Sequence, residues 1–211
     1  VAHVLNSNLS MYANRPFQHE NCTIDTDPQG RNVQGPGFQQ TYGYFEAMIK
    51  MPRGHGYFPA FWLFRHSENP YDRREIDIVE CYCGGTSDWA TADKRPIDGA
   101  WTIHDPNTSG GGISLTFHRL SHNGINLDLH AGYHVYGCKW EPDGISMYFD
   151  GIQYGPKYMT TRFNAPMYIM LDLWLGWDGK GTTAGIANDS TPLGPGAHEM
   201  RVEYVRAWQF K

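Results

Sequence analysis

Apolar residues recur along this chain at every second position, the period of a strand with one face buried. "TYGYFEAMIKM" (41–51) alternates cleanly, with Phe45, Ala47, Ile49 and Met51 sharing one face. "GYFPAFWLF" (56–64) follows the glycine-rich "RGHG". "HVYGCKW" (134–140), "EPDG" and "ISMYF" (145–149) predict a hairpin, and Asp150-Gly151 begins another tight turn. "MYIMLDLWL" (167–175) and "EMRVEYVRAWQF" (199–210) supply two more strands. No segment carries a long 3.6-residue period with capping signals, so helices are confined to one or two turns in loops. No internal repeat, low-complexity tract or linker interrupts the pattern. The expectation is an all-β fold, a two-sheet antiparallel β-sandwich of jelly-roll type, with residues 1–211 as a single domain.

The strand at 167–175 predicts where a ligand would lie. Met167, Ile169, Leu171, Leu173 and Leu175 form its core face, and Tyr168, Met170, Asp172 and Trp174 the other. Aromatics mixed with acids suit a groove for sugar rings, which stack on aromatic faces while their hydroxyls need acceptors. An ordinary solvated sheet face is the alternative.

"REIDIVECYCG" (74–84) breaks the alternation. Glu75 and Asp77 share a face opposite Ile76 and Ile78, and strict parity would then drive Glu80 into the core. An ionised carboxylate there costs several kcal/mol. A β-bulge at Val79 removes the conflict: one extra residue resets the alternation, so Glu75, Asp77 and Glu80 all face the groove while Ile76, Ile78, Cys81 and Cys83 stay in the core. Three acids on one face repel one another. The arrangement suits a retaining glycosidase, which needs a nucleophilic carboxylate and an acid/base carboxyl about 5–5.5 Å apart. Neighbouring charge would raise one glutamate's pKa and keep it protonated. A solvated acidic edge or a metal site are the alternatives.

Composition adds limits. The 24 glycines and 13 prolines fit many turns, and the 7 Trp, 13 Tyr and 10 Phe fit aromatic-rich strands. A chain of 211 residues can bury roughly 70% of the surface its unfolded form exposes. A net charge of -5, with no basic run, argues against nucleic acid or an anionic membrane as partner. No apolar stretch has the length of a transmembrane helix, and no signal peptide is recognisable. Cys22, Cys81, Cys83 and Cys138 are too few for a disulfide-built scaffold, and buried thiols are expected, with a Cys138 disulfide as the alternative. "DTDPQGRN" (25–32) has the DxD and glycine of a calcium loop but Pro36 in place of the bidentate glutamate, so it reads as a turn. His118 and His122 lack further ligands around them.

The bulged "EIDIVE" resembles the ExDxxE signature of glycoside hydrolase family 16. "TYGYFEAMIKMPRGHGYFPAFWLF" (41–64) is similar to the family's strand pair before that motif. "YHVYGCKWEPDGISMYFDG" (133–151) is similar to its later hairpin, and "MRVEYVRAWQF" (200–210) to its last strand. The resemblance implies Glu75 as nucleophile, Glu80 as general acid/base and Asp77 as the helper that hydrogen-bonds the nucleophile. It also implies substrate-binding roles for Trp62 and Trp174, with core packing as the alternative for each. His104 resembles a histidine that bulged members place near the acid/base, and Trp101 beside it is expected to stack on sugar.

Four departures stand out. Asp172 replaces an asparagine common in relatives, Met48 replaces an arginine, and the segment ahead of "LNSNLSMYA" is short. Glu203 stands near the position at which family members often carry an aspartate that, with N-terminal groups, holds a structural calcium. The glutamate and the short N-terminus argue against that ion, and no cofactor is expected for catalysis. The bulged motif goes with β-1,3-glucanases and with galactanases such as agarases, porphyranases and carrageenases. The expected activity is therefore an endo-acting retaining hydrolase of β-linked polysaccharide, with a laminarin-type β-1,3-glucan ranked first. Endo-galactanase, transglycosylase and non-catalytic sugar-binding jelly roll are the alternatives. A secreted (extracellular or periplasmic) monomer is expected, with polysaccharide as its partner.

Overall fold

The computed structural model describes residues 2–5, 9–11, 22–26, 37–52, 57–82, 98–105, 113–118, 121–122, 125–126, 129–175 and 199–211. Six strands come first: β1 (Ala2–Leu5), β2 (Leu9–Met11), β3 (Cys22–Asp25), β4 (Gln39–Gln40), β5 (Gly43–Lys50) and β6 (Tyr57–Arg65). A one-turn 3-10 helix at Pro70–Asp72 leads into β7 (Arg74–Tyr82), β8 (Asp98–His104) and β9 (Ile113–His118). The pair β10 (Ser121–His122) and β11 (Ile125–Asn126) precedes β12 (His134–Glu141) and β13 (Gly144–Phe149). The last four are β14 (Ile152–Gln153), β15 (Tyr158–Met159), β16 (Met167–Leu175) and β17 (Met200–Trp208).

Two antiparallel sheets form the sandwich. One runs β1-β17-β5-β12-β13-β14, with β2 beside β17 and β15 beside β13; the other runs β3-β16-β6-β7-β8-β9, with β4 beside β16. The core lies between them. Phe45, Ala47, Ile49 and Met51 are all fully buried, as the alternation requires, and meet Phe61, Leu63, Ile76 and Ile103 from the facing sheet. Sandwich architecture and antiparallel pairing match the sequence expectation.

Local chemistry fixes the turns. Asp150 (φ 49) and Gly151 (φ 79) both take left-handed conformations, the type I′ geometry that matches strand twist. The Asp150 carboxylate accepts from the Val135 amide at 2.8 Å and lies 2.8 Å from His134 Nδ1, tying the turn to β12. At the start of β5, Gly43 has φ 130, and a Cβ there would collide with the Trp208 carbonyl of β17 and the Gln40 amide. Only glycine lets those backbones approach so closely.

Two expectations are refined. Cys81 and Cys138 are buried in the core, and Cys138 forms no disulfide; burial pushes its thiol well above the ordinary value. The side chains of Cys22, Cys83, Leu175, His118 and His122, and residues 27–36 of the calcium-loop-like segment, lie outside the described residues. On β16, Tyr168, Met170 and Asp172 are buried as well as the core face, because β16 is flanked on both sides and Tyr168 packs edge-on against Phe64. Tyr168 and Met170 are thus covered, while Asp172 and Trp174 still border the groove.

Trp101 is a correction. It is 1% exposed and belongs to the core, not to the groove. His104 lies three residues along β8, an odd number, so the two side chains take opposite faces. Trp101→Ala should cost about 3–5 kcal/mol of stability, read by urea unfolding. A variant as stable as wild type would contradict core placement.

Candidate active site

The bulge anticipated at Val79 is present and spans Ile78 and Val79. On the β6 side, Phe61 pairs with Val79 and Trp62 with Asp77, so Ile78 has no opposite number. On the β8 side, Asp77 pairs with Thr102 and Glu80 with Ala100, so two residues of β7 face one of β8. Ile78 and Val79 are both buried in the core, at 4% and 0% exposure. Glu75, Asp77 and Glu80 consequently all line one cleft of about 270 Å³. The apolar pair on the inner side holds the acids on the outer side.

Strand register arranges the cleft as a grid. One row runs Asp172, Ala60, Glu80; the next runs Met170, Trp62, Asp77, Thr102; a third runs Tyr168, Phe64, Glu75, His104. Trp174 and Phe58 pair at the far end. On β6, the cleft-facing series Phe58, Ala60, Trp62 has one small member, and Ala60 sits directly between Asp172 and Glu80. The smallest side chain thus leaves a hollow with acids on two sides and aromatic rings on the others.

Hydrogen bonds and burial set the charge states. The Trp62 indole Nε1–H donates to Asp172 Oδ2 at 2.9 Å, and the Thr102 hydroxyl donates to Glu80 Oε2 at 3.0 Å. His104 Nε2 lies 2.9 Å from Asp77 Oδ2 and 3.5 Å from Glu75 Oε1. Burial, then the charges of Glu80, Glu75 and Asp172, push Asp77 far above the ordinary carboxylate range. Asp77 therefore keeps its proton and donates it in a hydrogen bond to Glu75. Burial also raises Glu75, but His104 and that hydrogen bond pull it back toward ionisation. Burial raises Asp172 to about 8, with the Trp62 hydrogen bond opposing and the charges of Glu80 and Glu75 adding. Charge crowding was the expected cause of such shifts; burial is the larger one.

Most of the predicted site residues converge. Trp62, Trp174 and Asp172 line the cleft with the three acids. His104 also reaches the site, but beside Glu75 and Asp77 and not beside the acid/base, because antiparallel pairing sets the end of β8 against the start of β7. Thr102 takes the place at Glu80. It was missed although it shares His104's face of the strand, and Phe58 and Ala60 were missed because neither carries chemistry of its own.

Glu75, Asp77 and His104 bring three potential metal-donor atoms within 4.8 Å of one another. An ion there would have to displace the proton that burial holds on Asp77 and break the 2.9 Å contact between His104 Nε2 and Asp77 Oδ2. For the calcium suggested by the family resemblance, Glu203 joins no three-donor group among the described residues. The N-terminal side chains that would complete such a site lie outside them.

The Asp172 shift predicts a pH effect on stability. The native state holds the proton up to about pH 8, while the unfolded chain releases it near about pH 4, so stability falls as pH rises between those values. Asp172→Asn removes that loss. Its melting temperature should gain on wild type steadily from about pH 4 to about pH 8. Parallel curves would contradict the buried neutral acid.

Comparison with known proteins agrees with this geometry. Residues 4–210 match the family described as "Beta-porphyranase A-D, GH16 domain". An endo-1,3-1,4-β-glycanase, ExsH, of Rhizobium meliloti is 30% identical over 174 residues, 81% of this chain and 31% of its own length. This chain thus spans about a third of that relative. The X-ray structure of an endo-β-1,3-glucanase from Pyrococcus furiosus aligns with a TM-score of 0.62 at 30% identity, over 81% of this chain and 62% of the other. The laminarinase catalytic domain from Thermotoga maritima MSB8 aligns over 100% of this chain and 80% of its own, with a TM-score of 0.69 at 21% identity, a likeness of fold. With its jelly-roll sheets and bulged acidic strand, the chain belongs to glycoside hydrolase family 16, in the β-porphyranase A–D group of GH16 domains.

Proposed function

We propose that this chain is a retaining, endo-acting glycoside hydrolase of β-linked polysaccharide. One observation carries the reading: the Ile78–Val79 bulge sets Glu75, Asp77 and Glu80 on one face, lining a single cleft. In the first step Glu80 protonates the glycosidic oxygen as Glu75 attacks the anomeric carbon. The C–O bond breaks, the leaving chain departs as an alcohol, and a glycosyl ester forms on Glu75. In the second, Glu80 takes a proton from water, which attacks the anomeric carbon and frees the Glu75 carboxylate. Asp77 steadies that carboxylate throughout. The Thr102 hydroxyl, donating to Oε2, holds Glu80 in its place on the cleft.

A β-1,3-glucan of laminarin type is the first substrate. The endo-glucanase names of the relatives support it, and so does the state of the nearby cations. Arg74 is 8% exposed and donates to the Tyr71 and Arg73 carbonyls, and Arg73 Nε donates to the Ser67 carbonyl. A sulfate-bearing sugar would need such groups turned into the cleft, and among the described residues these two arginines are held by backbone carbonyls instead. The second reading is an endo-galactanase, favoured by the porphyranase description of the matched family. A polymeric substrate, which cannot cross a membrane, supports a place of action outside the cytoplasm. We propose a monomer acting there without a catalytic cofactor.

Reducing-end release from laminarin, lichenan, agarose, porphyran and κ-carrageenan tests the class and the linkage together. Laminarin should be cleaved, and cleavage of porphyran or agarose alone would transfer the proposal to the galactan reading. Glu75→Gln and Glu80→Gln should each lose about 10³-fold or more in kcat. Near-normal turnover in either would remove that residue from its role. A labelled oligosaccharide acceptor should stay unextended; ligated products would make the enzyme a transglycosylase. Binding without cleavage of any polymer would leave a sugar-binding jelly roll.

A further inference from the structure

The retaining mechanism uses three carboxyl groups, yet four line the cleft. Asp172 is 4% exposed, and its position is fixed by the Trp62 indole at 2.9 Å. That contact occupies Oδ2 alone and leaves the rest of the carboxyl toward the cleft it lines. In the grid Asp172 and Glu80 stand on either side of Ala60, two strand spacings or about 10 Å apart. A sugar ring seated over Ala60 would meet Glu80 on one side and Asp172 on the other, between the Trp62 ring and the Phe58–Trp174 pair.

We propose that Asp172 reads a ring hydroxyl of the sugar seated over Ala60, acting as hydrogen-bond donor, and thereby helps set which sugar the cleft accepts. The proposal deepens the glycosidase reading and rests on it. A carboxylate can only accept hydrogen bonds, while a carboxyl both accepts and donates. The indole already fills an acceptor position, so the group's remaining donor capacity is what distinguishes it from a charged acid. Among the described residues the titratable groups facing it come from β7: Glu80 and Glu75, whose charges it feels, and Asp77, which keeps its proton. From β6 it meets Ala60 and Trp62, and the β3 residue registered against it is Thr23, with Asp25 two positions away. Burial first, and then the charges of Glu80 and Glu75, keep its proton in place near neutral pH. A site that donates to a hydroxyl discriminates strongly against a sugar lacking or inverting it, because the buried donor is left unpaired.

The test has two arms. In the free protein, the 13C resonance of the Asp172 carboxyl, assigned by its loss in Asp172→Asn, should titrate near about pH 8. A midpoint in the ordinary range near about 4 overturns the proposal. The second arm measures kcat and KM from about pH 5.5 to about pH 9 on the polymer that wild type cleaves. Wild-type KM should rise several-fold above about pH 8 with kcat changing less, as the donor is lost. Asp172→Asn, which keeps shape and a donor, should hold KM within about threefold of neutral wild type at every pH, while Asp172→Ala raises it about tenfold. Wild type and Asp172→Asn tracking together, or an unchanged KM in Asp172→Ala, overturns the proposal. An active wild type with a pH-independent KM removes this inference alone. A wild type that cleaves no polymer removes the parent reading and this one with it.

Discussion

The site depends on one extra residue in β7. Without the bulge across Ile78 and Val79, parity would turn Glu80 into a core made of Phe61, Ile76 and Ile103, where an ionised carboxylate costs several kcal/mol. With it, two adjacent apolar residues are buried together and their burial, on the order of 1.5–3 kcal/mol per side chain, holds the outer face in position. The core therefore specifies the geometry of the acids. Glu75, Asp77 and Glu80 occupy fixed places because Ile76, Ile78, Val79 and Cys81 have nowhere else to go.

Once the acids are gathered, burial and mutual repulsion sort them by charge. Asp77 and Asp172 are pushed upward and kept neutral, while Glu75 is returned toward ionisation by a hydrogen bond and by His104. A neutral helper between two functional carboxyls solves the crowding without bringing in a counter-ion. It costs native stability as pH rises, since each buried acid would ionise more readily in the unfolded chain. The cleft thus trades some alkaline stability for a graded set of proton affinities.

Much of this was legible in the sequence, for physical reasons. Alternation in 41–51 and 167–175 gave faces as well as strands, and the misplaced Glu80 required the bulge. Asp172 was placed on the groove side by parity alone. What failed was anything depending on register. Trp101 was grouped with His104 by nearness along the chain, although three residues separate opposite faces of a strand. His104 itself was set beside Glu80, when antiparallel pairing reverses the order and brings it to Glu75. Thr102 followed the same reversal unnoticed. The importance of Ala60 lies in what it leaves empty, and only neighbouring strands can show that. The proton on Asp77 is likewise a property of depth and neighbours, which no spacing encodes.

The account stands most directly on Glu75 acting as a nucleophile within reach of an acid on the same strand face. The anomeric configuration of the first product, followed by 1H NMR immediately after enzyme is added to the cleaved polymer, measures that. Two displacements at one carbon predict the β-anomer first, with the α-anomer appearing only as mutarotation proceeds. An α-anomer formed first would mean a single inverting displacement by water. Glu75 would then be a base, and the assignment of the three acids would be wrong.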